Sequence, residues 1–589
     1  MDEQIPSNYR LREFNAHGLS LDAPDHNATF CVAAIRQSTF RATFTTPNHP
    51  LPPHPSVNPL QRSLSHEPRL QQRGDEYTID LENGIIVTVI ANPTPVIQIK
   101  LDGALLYSDL SNRSYTLDGT GSSRYGLYDP EALYVGLGER AAPFDLSNRT
   151  FSLSALDAAQ YDAHRTDPLY KHIPILIRAT RTGCVGVFST SHSRGIWSVG
   201  GEIDALWGRY EVMRQQYGGL ELYFFVGRSI RAVVQAYAEL AGYPRIIPRW
   251  ALGYLASSMG YAESDNPPAQ TLLSNFPSLC KQHDIPCSAI HLSSGYTLSM
   301  EPPHSRNVFT LNTRRFPDFK GLCKRLAKSG MRIIANVKPY LLVTHPAYEN
   351  LARGRGFFET PDGKIAVTRV WSAGLGENGD GSWLDMTSLT AQKWWYAGVA
   401  ELLNSGIDGI WNDNNEYGLL SDKLICRRDD TGERMSVGQL GRLVNTELMA
   451  KISSQAIGHS RPDQRPFLMT RCATAGTMRY ANSSWSGDNY TAWETLRGNN
   501  AMGLTAGVSL LQVSILFGMA NISCTVMIAV GSLAHGLRPN YCFDGFNSQP
   551  SPPVFVYTPG NQRPQIHRPR QILSSLGCTH LCSRRSEMP

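Results

Sequence analysis

The spacing of hydrophobic and polar positions divides the chain into three stretches. Residues 1 to about 75 are rich in Pro, Ser, His and Asn, which predicts a poorly ordered lead-in. From about 76 to 245, short β-prone runs alternate with turn residues, as in "YTIDLENGIIVTVIANPTPVIQIKLDGALLYSDL". This pattern predicts an N-terminal antiparallel β-sandwich, with hairpin turns at "ENG" and "LDG".

A helix and then a series of parallel βα units follow the predicted sandwich. "SIRAVVQAYAELAGYP" has the spacing of an amphipathic helix that ends at Gly242 and Pro244. After Pro248, the apolar runs "WALGYLA", "CSAIHL", "RIIANV", "DGIWN" and "PFLMT" alternate with helical segments such as "FKGLCKRLAKSG" and "TAQKWWYAGVAELLNSG". Five or six such units predict a (β/α)8 barrel over residues 246 to 522.

Composition and charge narrow the class of protein. The chain has 589 residues, of which 41% are hydrophobic and 18% charged, as in a globular protein with several cores. The net charge of +5 is spread along the chain, so no nucleic-acid partner is predicted. The eleven cysteines lack metal-ligand spacing, which predicts free thiols. The N-terminus "MDEQIPSNYRLREF" shows no secretory signal, so we expect a cytoplasmic protein.

One segment leaves a membrane alternative open. Residues 501–534 contain no charged side chain and are mostly apolar. Their length alone permits a membrane span. Their polar Gln, Asn, Ser and Thr residues and several glycines are less typical of a membrane helix, so membrane association is kept here only as an alternative.

Two acidic residues stand where a barrel places its chemistry. Asp413 follows the strand "GIWN", and Asp488 lies in "YANSSWSGDNYTAWETL". Catalytic groups of such barrels lie at the carboxyl ends of strands. Two facing carboxyl groups can cleave a glycosidic bond, one attacking the anomeric carbon and the other protonating the leaving oxygen. Trp411 and Trp485 are candidate apolar faces for sugar rings, and Arg471 is a candidate for binding a carboxylate or a hydroxyl.

Each of these residues also has an ordinary structural interpretation. An Asp-Asn-Asn-Glu cluster after a strand is usually a loop that caps the next helix, and "SGDN" alone is a common turn. An arginine is most often at the surface or in a salt bridge, and tryptophans near strand ends are more often in the core. The spacing by itself therefore supports only a weak prediction of a carbohydrate enzyme.

Several motifs resemble those of glycoside hydrolase family 31, the α-glucosidase and α-xylosidase family. "GIDGIWNDNNEY" resembles its nucleophile motif, with Asn414 where the family usually has Met, and "TRCATAGTMRYANSSWSGDN" resembles its acid/base region. The resemblance implies that Asp413 is the nucleophile, Asp488 the acid/base and Arg471 a substrate-binding residue. It also implies a galactose-mutarotase-like N-terminal domain.

The reaction expected for this chain is the one that family 31 enzymes catalyse. Its members retain anomeric configuration, so the resemblance implies hydrolysis of α-linked oligosaccharides or glycosides by double displacement. It implies no metal and no cofactor. The expected partner is an α-linked carbohydrate.

Departures from the family affect the expected sugar. His291, Ser293 and Ser294 in "AIHLSSGYTL" stand where the family usually carries an acidic residue that binds sugar hydroxyls, and Lys338 in "NVKP" replaces a smaller or acidic residue. Loss of that carboxylate removes charge-assisted hydrogen bonds to a glucose-like ring. The resemblance therefore predicts an α-glycosidase without specifying glucose. His291 is either a substrate contact or a structural residue at a strand end.

The resemblance ends at about residue 522. If the codons are regrouped by one base, Met527 forces Asp and the pair Tyr541 and Cys542 forces Leu-Leu, and the residues allowed around them resemble further family motifs. We therefore predict that residues 523–589 are an aberrant tail, translated out of frame, which leaves the barrel incomplete at its C-terminal end. The alternative to an active enzyme is then a truncated, catalytically impaired homologue that at most binds sugar.

Overall fold

The computed structural model describes residues 3–511, 513–517 and 523–527, apart from residues 59, 82, 205–207, 303, 372–377, 419 and 490–491. The N-terminal part consists of strands in chain order: β1 Arg10–Asn15, β2 Gly18–Ala23, β3 Ala28–Arg36, β4 Thr39–Thr45, β5 Arg69–Arg73, β6 Glu76–Asp80, β7 Ile85–Ile90, β8 Val96–Leu101, β9 Ala104–Ser108, β10 Tyr115–Asp118, β11 Gly121–Leu127, β12 Leu133–Gly136, β13 Arg149–Leu153, β14 Lys171–His172, β15 Ile175–Ala179, β16 Cys184–Ser189, β17 Gly195–Asp204, β18 Gly208–Gln215 and β19 Leu220–Gly227.

Three antiparallel sheets build this part. Eight strands pair in the order β1-β2-β3-β4-β19-β16-β15-β12, five in the order β10-β11-β18-β17-β13, and five form the meander β5-β6-β7-β8-β9. Alternate side chains of the sheets, among them Phe30, Val87 and Trp197, are buried together in one core. Burial of one face of each sheet is what an alternating pattern requires. The predicted N-terminal β-sandwich is confirmed.

The predicted poorly ordered lead-in over residues 1 to about 75 is wrong for its first half. Residues 10–45 form four strands of the largest sheet. In β2 and β3, every second side chain is buried, and Leu21 and Phe30 are fully enclosed. The Pro-rich run around residues 47–58 dominates the composition and hides this alternation, but it forms only the connection that follows β4.

Two local predictions in the N-terminal part are confirmed. At "LDG", Asp102 and Gly103 have φ values of 51° and 83°, and Leu101 pairs with Ala104 across the hairpin. Positive φ at both turn positions matches the right-handed twist of the paired strands. The predicted helix is α1, Ile230–Ala241, which ends at Gly242.

The barrel and its insertions follow α1. Their elements are β20 Tyr254–Ser258, α2 Met259–Glu263, α3 Ala269–Gln282, β21 Cys287–Leu292, α4 Phe319–Lys328, β22 Arg332–Val337, β23 Tyr340–Leu342, α5 Tyr348–Arg353, β24 Thr368–Trp371, β25 Asn378–Trp383, α6 Leu389–Asn404, β26 Gly409–Asn412, β27 Ile425–Cys426, β28 Met435–Ser436, α7 Val437–Leu440, α8 Val444–Ser460, β29 Leu468–Thr470, β30 Ala473–Thr474, β31 Ser483–Trp485, α9 Trp493–Val508, β32 Val513–Phe517 and β33 Ser523–Met527.

Eight strands close the barrel in the order β20-β21-β22-β26-β29-β31-β32-β33. Neighbours from β20 to β32 are parallel, which confirms the predicted barrel. The last strand, β33, is antiparallel to both β32 and β20. The parallel repeat therefore extends through β32, and β33 closes the sheet in the opposite direction. Residues 528–589 of the predicted out-of-frame tail lie outside the described residues.

The described residues of the uncharged segment 501–534 belong to the barrel. It contains the end of α9 and the strands β32 and β33. Within the described part of the chain, no helix is both long and apolar enough to cross a membrane. The predicted division near residue 245 falls between α1 and β20 and stays a prediction.

Candidate active site

Asp413 lies at the carboxyl end of a central barrel strand. Its strand, β26, pairs with β22 on one side and β29 on the other, and the Asp413 N–H continues the ladder by donating to Val337 O at 2.9 Å. Asn414 then adopts φ 49°. Asn tolerates this left-handed conformation better than most residues because its short polar side chain can bond locally. The turn fixes Asp413 at the mouth of the barrel.

Hydrogen-bond donors surround the Asp413 carboxylate. Its Oδ2 accepts from Asn336 Nδ2 at 2.9 Å and from Lys338 Nζ. Its Oδ1 accepts from the Asn414 N–H at 2.8 Å and lies 3.4 Å from Arg471 Nε. Burial alone would raise the pKa of Asp413, but Lys338 and Arg471 hold this pKa well below its ordinary value. Asp413 is therefore ionised.

Arg471 joins four carboxyl groups at the centre of the site. Its Nε and Nη2 donate to the two oxygens of Glu416 at 2.6 and 2.9 Å. The same guanidinium lies 2.9 Å from Asp157 and 3.1 Å from Asp488, with the Tyr170 ring 5.0 Å from its centre. A fork-to-fork pair of this kind fixes the orientation of the guanidinium. Glu416 thus positions the cation that the other carboxyl groups share.

Asp488 has the opposite electrostatic environment from Asp413. Burial raises the pKa of Asp488 to about 6, and the negative charges of Asp413 and Asp157 add to this rise while Arg471 opposes it. Since Asp413 and Asp488 both approach nitrogens of one guanidinium, their contacting oxygens lie no more than about 9 Å apart, a bound that includes the ~5 Å separation typical of retaining glycosidases.

The N-terminal domain holds the loop that carries Asp488. The Asp488 N–H donates to Tyr170 Oη at 3.2 Å, and the Gln160 N–H donates to Asp488 O at 2.6 Å. On the same loop, Tyr161 Oη donates to Ser486 O at 2.8 Å. These three contacts tie residues of the segment 157–171 to the barrel loop. The position of the proposed acid therefore depends on both domains.

The predicted residues fall into two groups. Asp413, Asp488 and Arg471 meet in the site, as their contacts show. His291 and Trp485 are 0% and 1% exposed and lie in the barrel interior. Neither presents surface to a ligand, so the structural alternative for His291 is the one that fits, and a sugar contact for Trp485 does not.

His291 packs as a neutral ring beneath Trp411. The two ring centroids are 5.4 Å apart, and burial lowers the pKa of His291 to about 3. Among the described residues, its ring nitrogens have no hydrogen-bond partner. Trp411 is 8% exposed and meets Trp485 edge-on at 5.3 Å. The predicted sugar contact of Trp411 stays a prediction.

Four residues that shape the site were not predicted as site residues: Asn336, Lys338, Glu416 and Asp157. Lys338 was noted only as a departure from the family. Glu416 stands in the polar cluster after β26, so its proximity in sequence was a usable signal. Asn336 and Lys338 end the neighbouring strand β22, where side chains of parallel strands converge. Asp157 comes from the other domain, about 250 residues away along the chain, and no sequence spacing indicates its position.

A small cavity opens beside Asp413. Arg306 enters it, pairs with Glu263 and donates to Ser294 Oγ at 3.1 Å. The Trp371 ring lies 4.4 Å from the Arg306 guanidinium and 5.0 Å from Lys338 Nζ. Donors thus dominate the lining, and the cavity volume of about 10 Å³ has room for a single water-sized group such as one sugar hydroxyl. The lining residues are Ser294, Thr297, Arg306, Val308, Asn336, Lys338 and Tyr340.

Comparison with protein families agrees with this arrangement. Residues 244–515 match the glycosyl hydrolases family 31 TIM-barrel domain, and residues 29–196 match the glycosyl hydrolase 31 N-terminal galactose mutarotase-like domain. Asp413, Arg471 and Asp488 all lie within the first match, and Asp157 lies within the second. Together the two matches span most of the described chain.

Two curated proteins with similar sequences are named as α-glucosidases. The chain is 26% identical over 395 residues to "Alpha-glucosidase 2" of Bacillus thermoamyloliquefaciens, covering 65% of this chain and 46% of that protein. It is 27% identical over 448 residues to "Alpha-glucosidase" of Saccharolobus solfataricus, covering 70% of this chain and 60% of that protein. The chain therefore matches about half of the length of these relatives.

Solved structures share the fold. A family 31 dextranase of Flavobacterium johnsoniae, complexed with glucose, superposes with a TM-score of 0.74 and 19% identity, covering 87% of this chain and 61% of that one. A family 31 α-xylosidase from a soil metagenome, complexed with xylose, superposes with a TM-score of 0.70 and 15% identity, covering 86% and 72%. At these identities the likeness supports the fold alone.

Proposed function

Because the chain belongs to glycoside hydrolase family 31, we propose that it is a retaining α-glycosidase that hydrolyses O-glycosyl bonds of α-linked oligosaccharides or glycosides. In this proposal Asp413 is the nucleophile and Asp488 is the general acid and base. Arg471 positions both carboxyl groups. The similar α-glucosidases named above support the substrate class.

One observation carries the proposal: the two carboxyl groups share a guanidinium but have pKa values shifted in opposite directions. Asp413 is kept ionised by Lys338 and Arg471, while the pKa of Asp488 is raised to about 6. Double displacement needs one ionised and one protonated carboxyl group at the start. A merely structural salt-bridge network has no need for this asymmetry.

In the first step, an Asp413 carboxylate oxygen forms a bond to the anomeric carbon as the glycosidic bond breaks. The leaving oxygen takes the proton from Asp488, whose new negative charge faces Arg471 at 3.1 Å. Asp413 loses its charge on forming the glycosyl ester. The Lys338 and Asn336 contacts to Oδ2 then stay available to stabilise that charge when it returns.

In the second step, ionised Asp488 takes a proton from a water molecule, and the water oxygen attacks the anomeric carbon. The bond to Asp413 breaks, and its electron pair returns to the carboxylate. Two displacements on one carbon give net retention of configuration. Asp488 gives a proton in the first step and regains one from water in the second, so both carboxyl groups return to their starting states.

The neighbouring cavity bears on the choice of sugar. Arg306, Lys338 and Ser294 line it, and Ser294 belongs to the stretch where the family's acidic residue is usually found. Hydroxyl groups of the sugar would therefore accept hydrogen bonds here rather than donate them to a carboxylate. We propose that donor side chains, standing where the family usually has a carboxylate acceptor, set the specificity for the sugar.

Hydrolysis of a panel of aryl α-glycosides tests the proposal. The chain and its Asp413→Ala variant are compared on the α-glucoside, α-xyloside and α-galactoside, and the anomer formed first is identified by NMR. We expect the unaltered chain to hydrolyse at least one substrate and to release the α anomer first. The Asp413→Ala variant should hydrolyse none of the substrates. Turnover that survives Asp413→Ala, or a β product, contradicts the assignment.

A second candidate is a catalytically impaired homologue that binds sugar. The observation that favours it is β33, which closes the barrel antiparallel to its neighbours. Binding of the same glycosides by calorimetry, without turnover, would support this candidate.

Sequencing the transcript across codons 515–530 tests the predicted frame change, and an uninterrupted frame identical to this one contradicts it.

A further inference from the structure

A second cavity lies at the end of the barrel opposite to Asp413. Arg332 is the first residue of β22, Asp408 directly precedes β26, and Arg249 lies ahead of β20. These are the amino ends of the strands, whereas Asp413 follows the carboxyl end of β26. The residues that line this cavity are Pro248, Arg249, Trp250, Arg332, Asp408, Arg461, Gln464 and Arg465.

Four of these eight lining residues are arginines, and Asp408 is the acidic residue among them. The Asp408 carboxylate is already engaged: Oδ1 accepts from Arg332 at 3.1 Å and lies 3.4 Å from Arg461, and Oδ2 accepts from the Ile333 N–H at 3.0 Å. Arg461 is further held by backbone carbonyl groups, including Leu403 O at 3.4 Å. The acidic charge of this cavity is thus shared by two arginines.

Arg249 and Arg465 remain uncompensated. Both are exposed, and neither makes a hydrogen bond or ion pair within the part of the chain that the structure describes. They come from different segments, one ahead of β20 and the other in the loop between α8 and β29. Guanidinium groups that converge in this way repel each other, and an oxyanion that accepts from both relieves the repulsion.

The cavity also has an apolar wall. Trp250 is half-buried and is held by the Phe467 ring, 5.0 Å away. The cavity volume is about 350 Å³, and small-molecule sites typically span about 300–1,000 Å³. This space exceeds what a single tetrahedral anion occupies. It has room for an organic group against Trp250.

We propose that this cavity binds a phosphate-bearing small molecule. The phosphoryl oxygens accept from Arg249 and Arg465, with Arg332 beside them, and the organic part lies against Trp250. Planar guanidinium groups match phosphate oxygens in geometry as well as in charge. The ordinary alternative is a solvated cluster of arginines without a ligand. The site is distinct from the glycosidase site, and its occupation does not depend on hydrolysis.

Calorimetric titration of the full chain tests the proposal. Inorganic phosphate, glucose 6-phosphate and glucose are titrated separately at a constant ionic strength set with chloride. We expect saturable binding of phosphate or glucose 6-phosphate that is tighter than any binding of glucose, because glucose alone reports the separate site of Asp413. Tighter binding of glucose 6-phosphate than of phosphate supports an organic part that lies against Trp250, and equal affinity overturns that part of the proposal. Absence of saturable binding of either anion overturns the proposal.

Two double variants make the test specific. Arg249→Gln with Arg465→Gln removes the uncompensated charges, and we expect at least a tenfold rise in Kd. Arg181→Gln with Arg231→Gln removes the same charge from exposed positions elsewhere and should leave Kd unchanged. All four side chains are exposed, so folding is expected to survive, which circular dichroism checks. Equal losses of affinity in both variants would reduce the effect to net charge and overturn the site.

Discussion

Asp413 and Asp488 contact the same guanidinium, yet different parts of the molecule hold them in place. Asp413 continues a central barrel strand, and its partners Asn336, Lys338 and Arg471 all belong to the barrel. Asp488 lies on a loop whose backbone is held by Gln160 and Tyr170 of the N-terminal domain. The direct partners of the Asp413 carboxylate therefore all belong to the barrel, whereas the backbone at Asp488 is held across the contact between domains.

The difference explains how two identical side chains acquire opposite protonation. Cations touch both oxygens of Asp413, so its pKa falls despite burial. Asp488 shares a single cation with three other carboxyl groups, so burial and negative charge raise its pKa to about 6. Neighbours rather than residue type decide which carboxyl group attacks and which donates a proton. Each of the following experiments tests one part of this comparison.

The largest effect is expected from Asp413→Ala. Loss of the nucleophile removes the covalent step, so kcat should fall by at least about 10⁴-fold. Hydrolysis of an aryl α-glycoside measures it. Asp463→Ala, at an exposed position of the barrel, is the matched control and should keep full activity. Comparable losses in both variants would show that folding, rather than the nucleophile, is affected.

Asp488→Asn should depend on the leaving group. Without the acid, a glycoside with a poor leaving group should lose about 10²–10⁴-fold in rate. An activated aryl glycoside, whose leaving oxygen needs no proton, should lose far less in its first step. The ratio of kcat/KM between the two substrates is the measurement. A loss of the same size for both would contradict the role of Asp488 as acid.

The pH profile of the unaltered chain should show an alkaline limb near pH 6. Asp488 must be protonated to act as the acid, and its pKa is raised to about 6, so kcat/KM should fall up to about tenfold per pH unit above this value. The pKa of Asp413 lies well below its ordinary value of 3.8, so Asp413 stays ionised in mild acid. Activity should therefore persist as the pH falls below 6. A profile that is still rising between pH 6 and 8 would contradict the assignment.

Lys338→Met should shift the acidic limb of the pH profile, where Asp413 becomes protonated, and should not abolish activity. Loss of the cation raises the pKa of Asp413, so this limb should shift to higher pH. Lys338 also lowers the pKa of Asp488 to a smaller extent, so the alkaline limb should shift upward slightly. The pH dependence of kcat/KM measures both. Unmoved limbs with an altered KM would mean that Lys338 serves binding alone.

The smallest effect is expected from Tyr170→Phe. This change removes the hydroxyl that accepts from the Asp488 N–H at 3.2 Å but keeps the ring beside Arg471. A hydrogen bond of this kind contributes about 1 kcal/mol, which corresponds to about fivefold in kcat. Tyr396→Phe, on the outer helix α6, is the control. An unchanged rate would show that the hydrogen bond from the Asp488 N–H to Tyr170 does not position the acid.

Much of the fold follows from local pattern. The runs "CSAIHL" and "RIIANV" coincide with β21 and β22, because buried parallel strands are apolar on both faces. The predicted lead-in is wrong over residues 10–45 because the Pro-rich run beside this segment dominates the composition and masks the alternation of β2 and β3. The antiparallel direction of β33 had no sequence signal, since strand direction depends on which partners are available in three dimensions.

Hydrophobic period and turn chemistry act over neighbouring residues, so the amino-acid pattern is enough to predict the barrel, the sandwich and the strand end that carries Asp413. Its motifs also singled out Asp488 and Arg471. The folded chain was needed to find the opposite pKa shifts of the two carboxyl groups, the contact of Asp157 from the other domain and the burial of His291. These properties depend on charge, distance and solvent access between residues that are remote along the chain, and sequence spacing does not encode them.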